Sequence, residues 1–313
     1  MKRPRILALV GPTASGKTSI SLHLAGLLNG EIVSADSRQI YKYLDIGTAK
    51  PSAGDRRKVK HHFIDVLELG EYYSAGQYGQ DARTIIGRIF GRGKLPILVG
   101  GSGLYVRAVI DGLFEGPGRD AEIRGQLMER LEAEDLASLL STLKKVDPAS
   151  AAKMREPTAR RVIRALEVFY LSGRPLSELQ ARQAAKVEFT AIQFGLDWER
   201  KELYDRINQR VDRMISDGLV DEVRDLQKRG YDRRLNALNT VGYKEVFDYL
   251  EGSLSSHEMV ALIKQNTRRF AKRQMTWFRA DKRIQWIPMS KEKLSSNVAD
   301  AIAEMFRRSQ RKS

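Results

Sequence analysis

The sequence predicts an α/β protein, a parallel-sheet core of the P-loop NTPase-like type that carries a helical insertion domain. Three observations predict it. A short apolar strand, Arg5–Val10, runs straight into Gly11-Pro12-Thr13-Ala14-Ser15-Gly16-Lys17-Thr18 and then into a helix. Strand-length apolar runs alternate with helical stretches as far as about residue 112. Beyond Gly112–Gly118 that alternation gives way to helices, one of them rich in arginine.

The opening helix is expected over about Lys17–Leu28, followed by a second short strand at Glu31–Ser34. A helical stretch near Gln77–Phe90 leads to another strand at Leu95–Val99. Gly112 to Gly118 reads as a hinge-like break. In the insertion, Asp147-Pro148 is a good cap and first-turn pair. From Pro157 to Leu171, Val162, Ile163, Leu166 and Tyr170 recur at helical spacing, while Arg160, Arg161 and Arg164 occupy another face. Gly173 closes that helix and Pro175 prevents its continuation. A strand-like segment, Phe189–Leu196, returns to the sheet, and residues from about Glu199 to Arg279 are mainly helical. There is no internal repeat, and a short basic, polar tail follows Phe306. The expected organisation is a core of residues 1–112 and 191–313 around a helical insertion at 113–190.

A chain of 313 residues, 42% of them hydrophobic, builds one large domain or two modest ones. No apolar run approaches the roughly 18–20 residues of a membrane helix. Met1-Lys2-Arg3 resembles a signal n-region, but the apolar stretch behind it is too short and meets Gly11-Pro12. A cytoplasmic monomer without a membrane partner is expected. The absence of cysteine excludes disulfides, thiolate nucleophiles and Cys-type zinc sites. Four scattered histidines argue against a His-only metal site, and His61-His62 read as structural histidines at a strand edge. Lys+Arg 54 against Asp+Glu 39 gives +15, a surplus that suits a polyanionic partner through counterion release.

The segment Gly11–Thr18 fits G-x-x-x-x-G-K-[ST] with the flanks that the motif requires. Its glycines let backbone N–H groups turn inward around phosphate oxygens, and the helix N-terminus adds its dipole. Lys17 brings a charge to the outermost phosphates, and Thr18 offers a hydroxyl to Mg²⁺. The motif leaves open which phosphate compound is held. ATPases and GTPases place an acid at the end of a second buried strand. Here Leu95–Val99 ends in Gly100-Gly101-Ser102-Gly103-Leu104-Tyr105, without one. The carboxylate follows the other strand, in Ser34-Ala35-Asp36-Ser37-Arg38-Gln39-Ile40-Tyr41. Asp36 then emerges at the carboxyl edge of the sheet beside the phosphate loop. A Mg²⁺ ligand, a general base and a helix cap all remain open to it from spacing alone.

Taken together, several segments resemble those of the bacterial tRNA dimethylallyltransferases, the tRNA isopentenyltransferase family. They are Gly11–Thr18, Asp36–Tyr41, Gly47-Thr48-Ala49-Lys50-Pro51, His61-His62-Phe63-Ile64-Asp65, Gly100–Tyr105, Arg160–Glu167, Val241-Gly242-Tyr243 and Arg268–Arg279. The phosphate loop alone is diagnostic by itself; the others are specific in combination and order. The resemblance implies that the loop holds dimethylallyl diphosphate with Mg²⁺ and that pyrophosphate leaves. An adenine amine in the tRNA anticodon stem-loop then attacks the allylic carbon, and Asp36 takes its proton. Thr13, Ser102 and Arg124 match positions that line the reaction channel or touch the target nucleotide. Where this chain has Ser102 the family favours threonine, and the hydroxyl is kept. Asp36, Ser37, Arg38 and Gln39 match a stretch that contacts tRNA. So do Arg160, Arg161, Val162, Ile163 and Arg164, and also Asn239, Thr240, Val241, Gly242, Tyr243 and Lys244. Arg210, in the segment Arg206–Met214, matches the diphosphate side of the site. Eukaryotic relatives often carry a zinc finger, which the lack of cysteine excludes here.

The residues agree with that chemistry. A carboxylate is a suitable base for an aromatic amine whose proton becomes acidic only as the new bond forms. An anticodon loop is single-stranded, so unstacking its target base costs little. Arg268–Arg279 interleaves cations with Phe270, Trp277 and Phe278, a composition that grips phosphates and stacks bases. The same stretch also reads as an amphipathic helix burying Phe270 and Trp277, and the two readings are compatible. Rival functions are a P-loop nucleotide kinase, a prenyltransferase acting on free adenine nucleotides, and an ATP-gated RNA-binding protein. The charge and the arginine-bearing insertion speak against the free-nucleotide enzyme, and the last leaves Asp36 without a role.

Overall fold

Residues 3–114, 116–181 and 187–311 are described by a computed structural model of the chain. They form two compact units, Met1–Ile110 with Glu188–Ser313, and Asp111–Val187. The first unit begins with β1 (Arg5–Val10), α1 (Lys17–Leu27), β2 (Gly30–Ser34), α2 (Ala53–Lys58) and β3 (His61–His62). It continues with α3 (Ala75–Gly91), β4 (Leu95–Gly100) and α4 (Gly103–Ile110). The second unit holds α5 (Ala121–Ala133), α6 (Leu136–Val146), α7 (Pro148–Ala152), α8 (Ala159–Ser172) and α9 (Leu176–Ala181). The chain then re-enters the first unit with β5 (Thr190–Trp198), α10 (Arg200–Ser216), α11 (Leu219–Lys228) and α12 (Tyr243–Leu250). It ends with α13 (Ser256–Arg279), β6 (Ile284–Met289) and α14 (Ser295–Arg311).

The described strands form a parallel sheet in the order β3-β2-β4-β1-β5-β6. Parallel strands covered on both faces read as continuous apolar runs, and β1 does so because Ile6 to Val10 are all fully buried. Leu7 and Leu9 pack with Ile20 and Leu24 of α1 and with Ile302 and Phe306 of α14. That packing corrects the expected tail after Phe306. Residues 307–311 continue α14, whose Val298, Ile302 and Phe306 recur every four positions on its buried face. Parallel pairing also brings the carboxyl ends of the strands to one edge, where Gly11, Ala35 and Gly101 follow β1, β2 and β4. The histidines of β3 are structural, with His62 Nε2 2.8 Å from the buried Glu31 carboxylate. Among the described residues, no helix is long and apolar enough to cross a membrane.

The second unit has its own core, in which Leu127, Leu139 and Leu143 meet Val162, Ile163, Leu166 and Val168 of α8. The Asp147 carboxylate caps α7 through Ser150 N at 2.9 Å and also takes Ser177 N at 2.9 Å. Periodicity placed Tyr170 on the apolar face of α8, but it is exposed, and Ala165 and Glu167 are buried instead. The Glu167 carboxylate explains the difference, because it gathers polar groups inward. It accepts from Asp120 N at 3.1 Å, Arg124 Nη1 at 3.2 Å and Arg164 Nη1 at 3.0 Å. Arg164 also donates to the carbonyls of Pro117 and Gly118.

Candidate active site

The phosphate loop joins β1 to α1 with Ala14 at φ 62° and Gly16 at φ 91°, both in the left-handed region. Gly16 is the N-cap of α1 and supplies no side chain to its first turn. The first N–H groups of the helix are therefore left for a ligand, which makes this end an anion site. Lys17 Nζ folds back to donate to Gly11 O at 2.9 Å and Pro12 O at 2.6 Å. Burial first and the nearby Arg210 second bring its pKa down to about 7, with the Asp36 charge opposing both. Thr18 is exposed in the first turn of α1.

Asp36 follows β2, whose pairing with β4 is prolonged by Ala35 N donating to Val99 O at 2.7 Å. Its Oδ1 accepts from Arg38 N at 2.9 Å and Gln39 N at 3.3 Å, so it does cap the turn that follows. Its Oδ2 takes no hydrogen bond among the described residues. Ser102 stands beside the residue that follows Asp36; its Oγ accepts from Ser37 N at 3.1 Å and donates to Ser37 Oγ at 3.3 Å. Ser102 N in turn donates to Ala35 O at 3.2 Å, drawing the ends of β2 and β4 together.

Of the three arginines in Arg206–Met214, Arg210 is the one placed among these charges. It donates from Nη2 to Thr48 O at 3.2 Å, the carbonyl that Gln39 Nε2 also reaches at 3.1 Å. Burial lowers the Arg210 pKa, while Asp36 acts in the other direction. Lys17, Arg210 and Asp36 thus act on one another at the mouth of the phosphate loop. Two part-buried cations acting on one carboxylate leave a surplus of positive charge, which favours a polyanion there.

Gln274 and Glu222 hold this site, and sequence reading singled out neither. The buried amide of Gln274 on α13 accepts from Thr13 N at 2.8 Å and donates to Gly101 O at 2.9 Å. It thereby ties the phosphate loop to the loop after β4. A Cβ on Gly101 would stand 2.3 Å from Gln274 Nε2, and one on Gly103 would stand 2.1 Å from the Trp277 ring. The glycines beside Ser102 therefore make room for α13. Glu222 on α11 accepts from Asp45 N, Ile46 N and Gly47 N at 3.0, 2.8 and 3.2 Å, and from Tyr243 Oη at 2.6 Å. That grip shapes the turn whose Thr48 carbonyl receives Arg210 and Gln39.

The remaining expected residues fall into three groups. Arg38 donates to Asn236 O at 2.6 Å, beside the segment Asn239–Lys244. In that segment Asn239 is exposed and Thr240, Val241 and Lys244 are part-exposed, but Gly242 and Tyr243 are buried. In the second unit Arg160 and Arg161 are exposed, whereas Val162 and Ile163 belong to the core and offer no side chain to a ligand. Arg124 and Arg164 are engaged by Glu167, so Arg164 is not part of a freely solvated arginine face. In the Arg268–Arg279 part of α13 the buried side chains are Ala271, Gln274 and Phe278, while Phe270 and Trp277 are exposed, which corrects the version of that helix that buried them.

Among the described residues, no group of three or more His, Cys, Asp or Glu side chains is arranged to hold a metal. A Mg²⁺ ion is compatible with this donor set, because it keeps several waters and usually takes only one or two protein oxygens alongside substrate phosphates. Comparison with known proteins gives a consistent result. The profile of the IPP transferase family matches residues 39–281. The chain is 46% identical over 303 residues to the tRNA dimethylallyltransferase of Pelotomaculum thermopropionicum, covering 96% of each. It is 46% identical over 304 residues to that of Thermotoga neapolitana, covering 96% of this chain and 99% of the relative. The crystal structure of the full-length tRNA isopentenylpyrophosphate transferase from Bacillus halodurans superposes with a TM-score of 0.71 at 39% identity, over 99% of both chains. A eukaryotic dimethylallyltransferase acting on tRNA superposes at 0.80 and 26% identity, over 98% of this chain and 80% of that one.

Proposed function

The chain belongs to the IPP transferase family, and from that premise we propose a mechanism in which its phosphate loop holds the diphosphate of an allylic donor. The protein is an enzyme, and its activity is the transfer of a dimethylallyl group to tRNA. The donor is dimethylallyl diphosphate, and the acceptor is the exocyclic amine of an adenosine next to the anticodon. The observation that carries this reading is the grouping of Lys17, Arg210 and Asp36 at the loop, with one Asp36 oxygen uncommitted.

In the reaction the amine nitrogen bonds to the allylic carbon as the bond from that carbon to the diphosphate oxygen breaks. The electron pair leaves with pyrophosphate. Lys17, the loop N–H groups and Arg210 stabilise the charge that gathers on it. The amine becomes acidic as the new C–N bond forms, and Asp36 Oδ2 accepts its proton while Oδ1 keeps the turn at 37–40 in place. Thr18 would supply the protein oxygen for Mg²⁺, which when bound would add positive charge against the diphosphate. Thr13 and Ser102 line the channel. Arg38, Gln39, Asn239 and Lys244 of the first unit, and Arg160 and Arg161 of the second, contact the RNA.

The test is direct. Unmodified tRNA incubated with the protein, dimethylallyl diphosphate and Mg²⁺ is digested to nucleosides and weighed. One adenosine per tRNA should carry a dimethylallyl group, and none should do so in a control given only ATP. Unmodified adenosine in both, with ATP consumed, would replace this reading with the kinase one.

A further inference from the structure

Two side chains outside the motif hold the phosphate loop from behind. Trp198, at the end of β5, donates its indole Nε1 to Ser15 O at 3.0 Å. Arg206, on α10, donates Nε to Ala14 O at 2.9 Å. The two are stacked, with the guanidinium carbon of Arg206 4.3 Å from the Trp198 ring centroid. Trp198 is buried against Leu203, Ile207 and Ala271 in a small cluster on which Ala14 also packs. Consecutive carbonyls of the loop therefore end on one rigid pair.

Peptide geometry gives this a consequence. In a planar trans peptide the C=O and the next N–H point in opposite directions. Holding Ala14 O and Ser15 O on the outer side turns the N–H groups of Ser15 and Gly16 toward the inside of the loop, where the Ser15 N–H makes only a long 3.4 Å bond to Pro12 O. This is also where the backbone needs support, because Ala14 sits at φ 62° while carrying a Cβ. A left-handed non-glycine residue is strained and persists only where its surroundings hold it.

We propose that Trp198 and Arg206 are positioning residues that brace the phosphate loop in its anion-holding form before the diphosphate arrives. The proposal rests on the reading that this loop holds a diphosphate. Arg206 acts here through its fixed Nε and its flat stacking face, not as a mere positive charge, and this separates Arg206→Lys from the unmutated protein. Trp198→Phe keeps a ring beneath the guanidinium but removes the N–H that holds Ser15 O.

The experiment uses the full chain with Mg²⁺ and inorganic pyrophosphate as the probe, titrated by calorimetry. Each single variant should bind pyrophosphate about fivefold to tenfold more weakly, the worth of one hydrogen bond. The KM for dimethylallyl diphosphate should rise by a similar factor with kcat nearly unchanged, and affinity for an anticodon stem-loop RNA should stay as it was. The double variant should lose little more than the worse single one, because the stacked pair acts as a unit. Arg206 is part-exposed, so Arg206→Lys reads the proposal even if Trp198→Phe folds poorly. Unchanged pyrophosphate affinity in Arg206→Lys, or losses that simply add, would overturn the brace. Absence of pyrophosphate binding by the unmutated protein would instead overturn the diphosphate reading, and the brace with it.

Discussion

At Lys17 the cost of keeping an ammonium away from water is only partly offset by Asp36, because Arg210 stands beside it as a second cation. With its pKa down at about 7, the side chain is largely neutral in the ligand-free protein one pH unit higher. A bound diphosphate reverses the balance and raises that pKa. Binding at about pH 8 should therefore take up close to one proton, and affinity should fall as pH rises from 7, where the free protein begins to lose that proton. Calorimetry in two buffers of different ionisation enthalpy measures the uptake, and Lys17→Met should abolish it. Equal apparent enthalpies in the two buffers would remove the cation pair from the account. Lys17 and Asp36 were both legible in the sequence, since a contiguous motif and the first residues after a strand are local signals. Gln274 and Glu222 were not. Their partners Thr13 and Gly47 lie 261 and 175 positions away, and no local pattern marks a side chain whose role is to meet a distant backbone.

The helix α8 shows what periodicity can and cannot tell. Its extent and apolar face followed from Val162, Ile163 and Leu166, but its three arginines looked alike in sequence. Their difference comes from Glu167, a buried carboxylate that must be paired and that recruits Arg124 and Arg164 from its surroundings. Replacing Arg160 and Arg161 together with Ala should leave the melting temperature unchanged while flattening the salt dependence of tRNA binding by about one to two units of slope. Arg164→Ala should do the reverse, lowering the melting temperature by a few degrees through loss of bonds to a buried charge, with a smaller change in slope. Binding of tRNA against salt, measured beside thermal melting, checks both; an unaltered slope in the double variant would take α8 off the RNA surface. On α13, the buried positions Ala271, Gln274 and Phe278 run along one face, which leaves Phe270, Arg273 and Trp277 outward. The sequence could not decide that orientation because aromatics stand on both faces of the helix.

At the scale of the molecule, the parallel sheet and its phosphate loop were readable because each strand–loop–helix step is short. The closure of the sheet was harder to see. The return of β5 to the sheet was readable, but β6 beside it was not, and α14 completes the cover of β1 with Ile302 and Phe306. The last turn of α14 read as a tail, since Arg307, Arg308 and Arg311 crowd that end and no apolar residue follows Phe306. The +15 charge belongs to this scale as well, as a long-range attraction for a polyanion that no single residue provides. Among all these features the chemistry depends most on Asp36. Asp36→Asn retains an Oδ1 for Arg38 N and Gln39 N, so the turn should survive, but it cannot take up a proton. Single-turnover transfer from dimethylallyl diphosphate to tRNA, measured together with both affinities, is the decisive measurement. The account predicts a rate lower by about 10²–10⁴-fold with both affinities nearly unchanged; a near-normal rate, or a loss that follows weakened diphosphate binding, would contradict it.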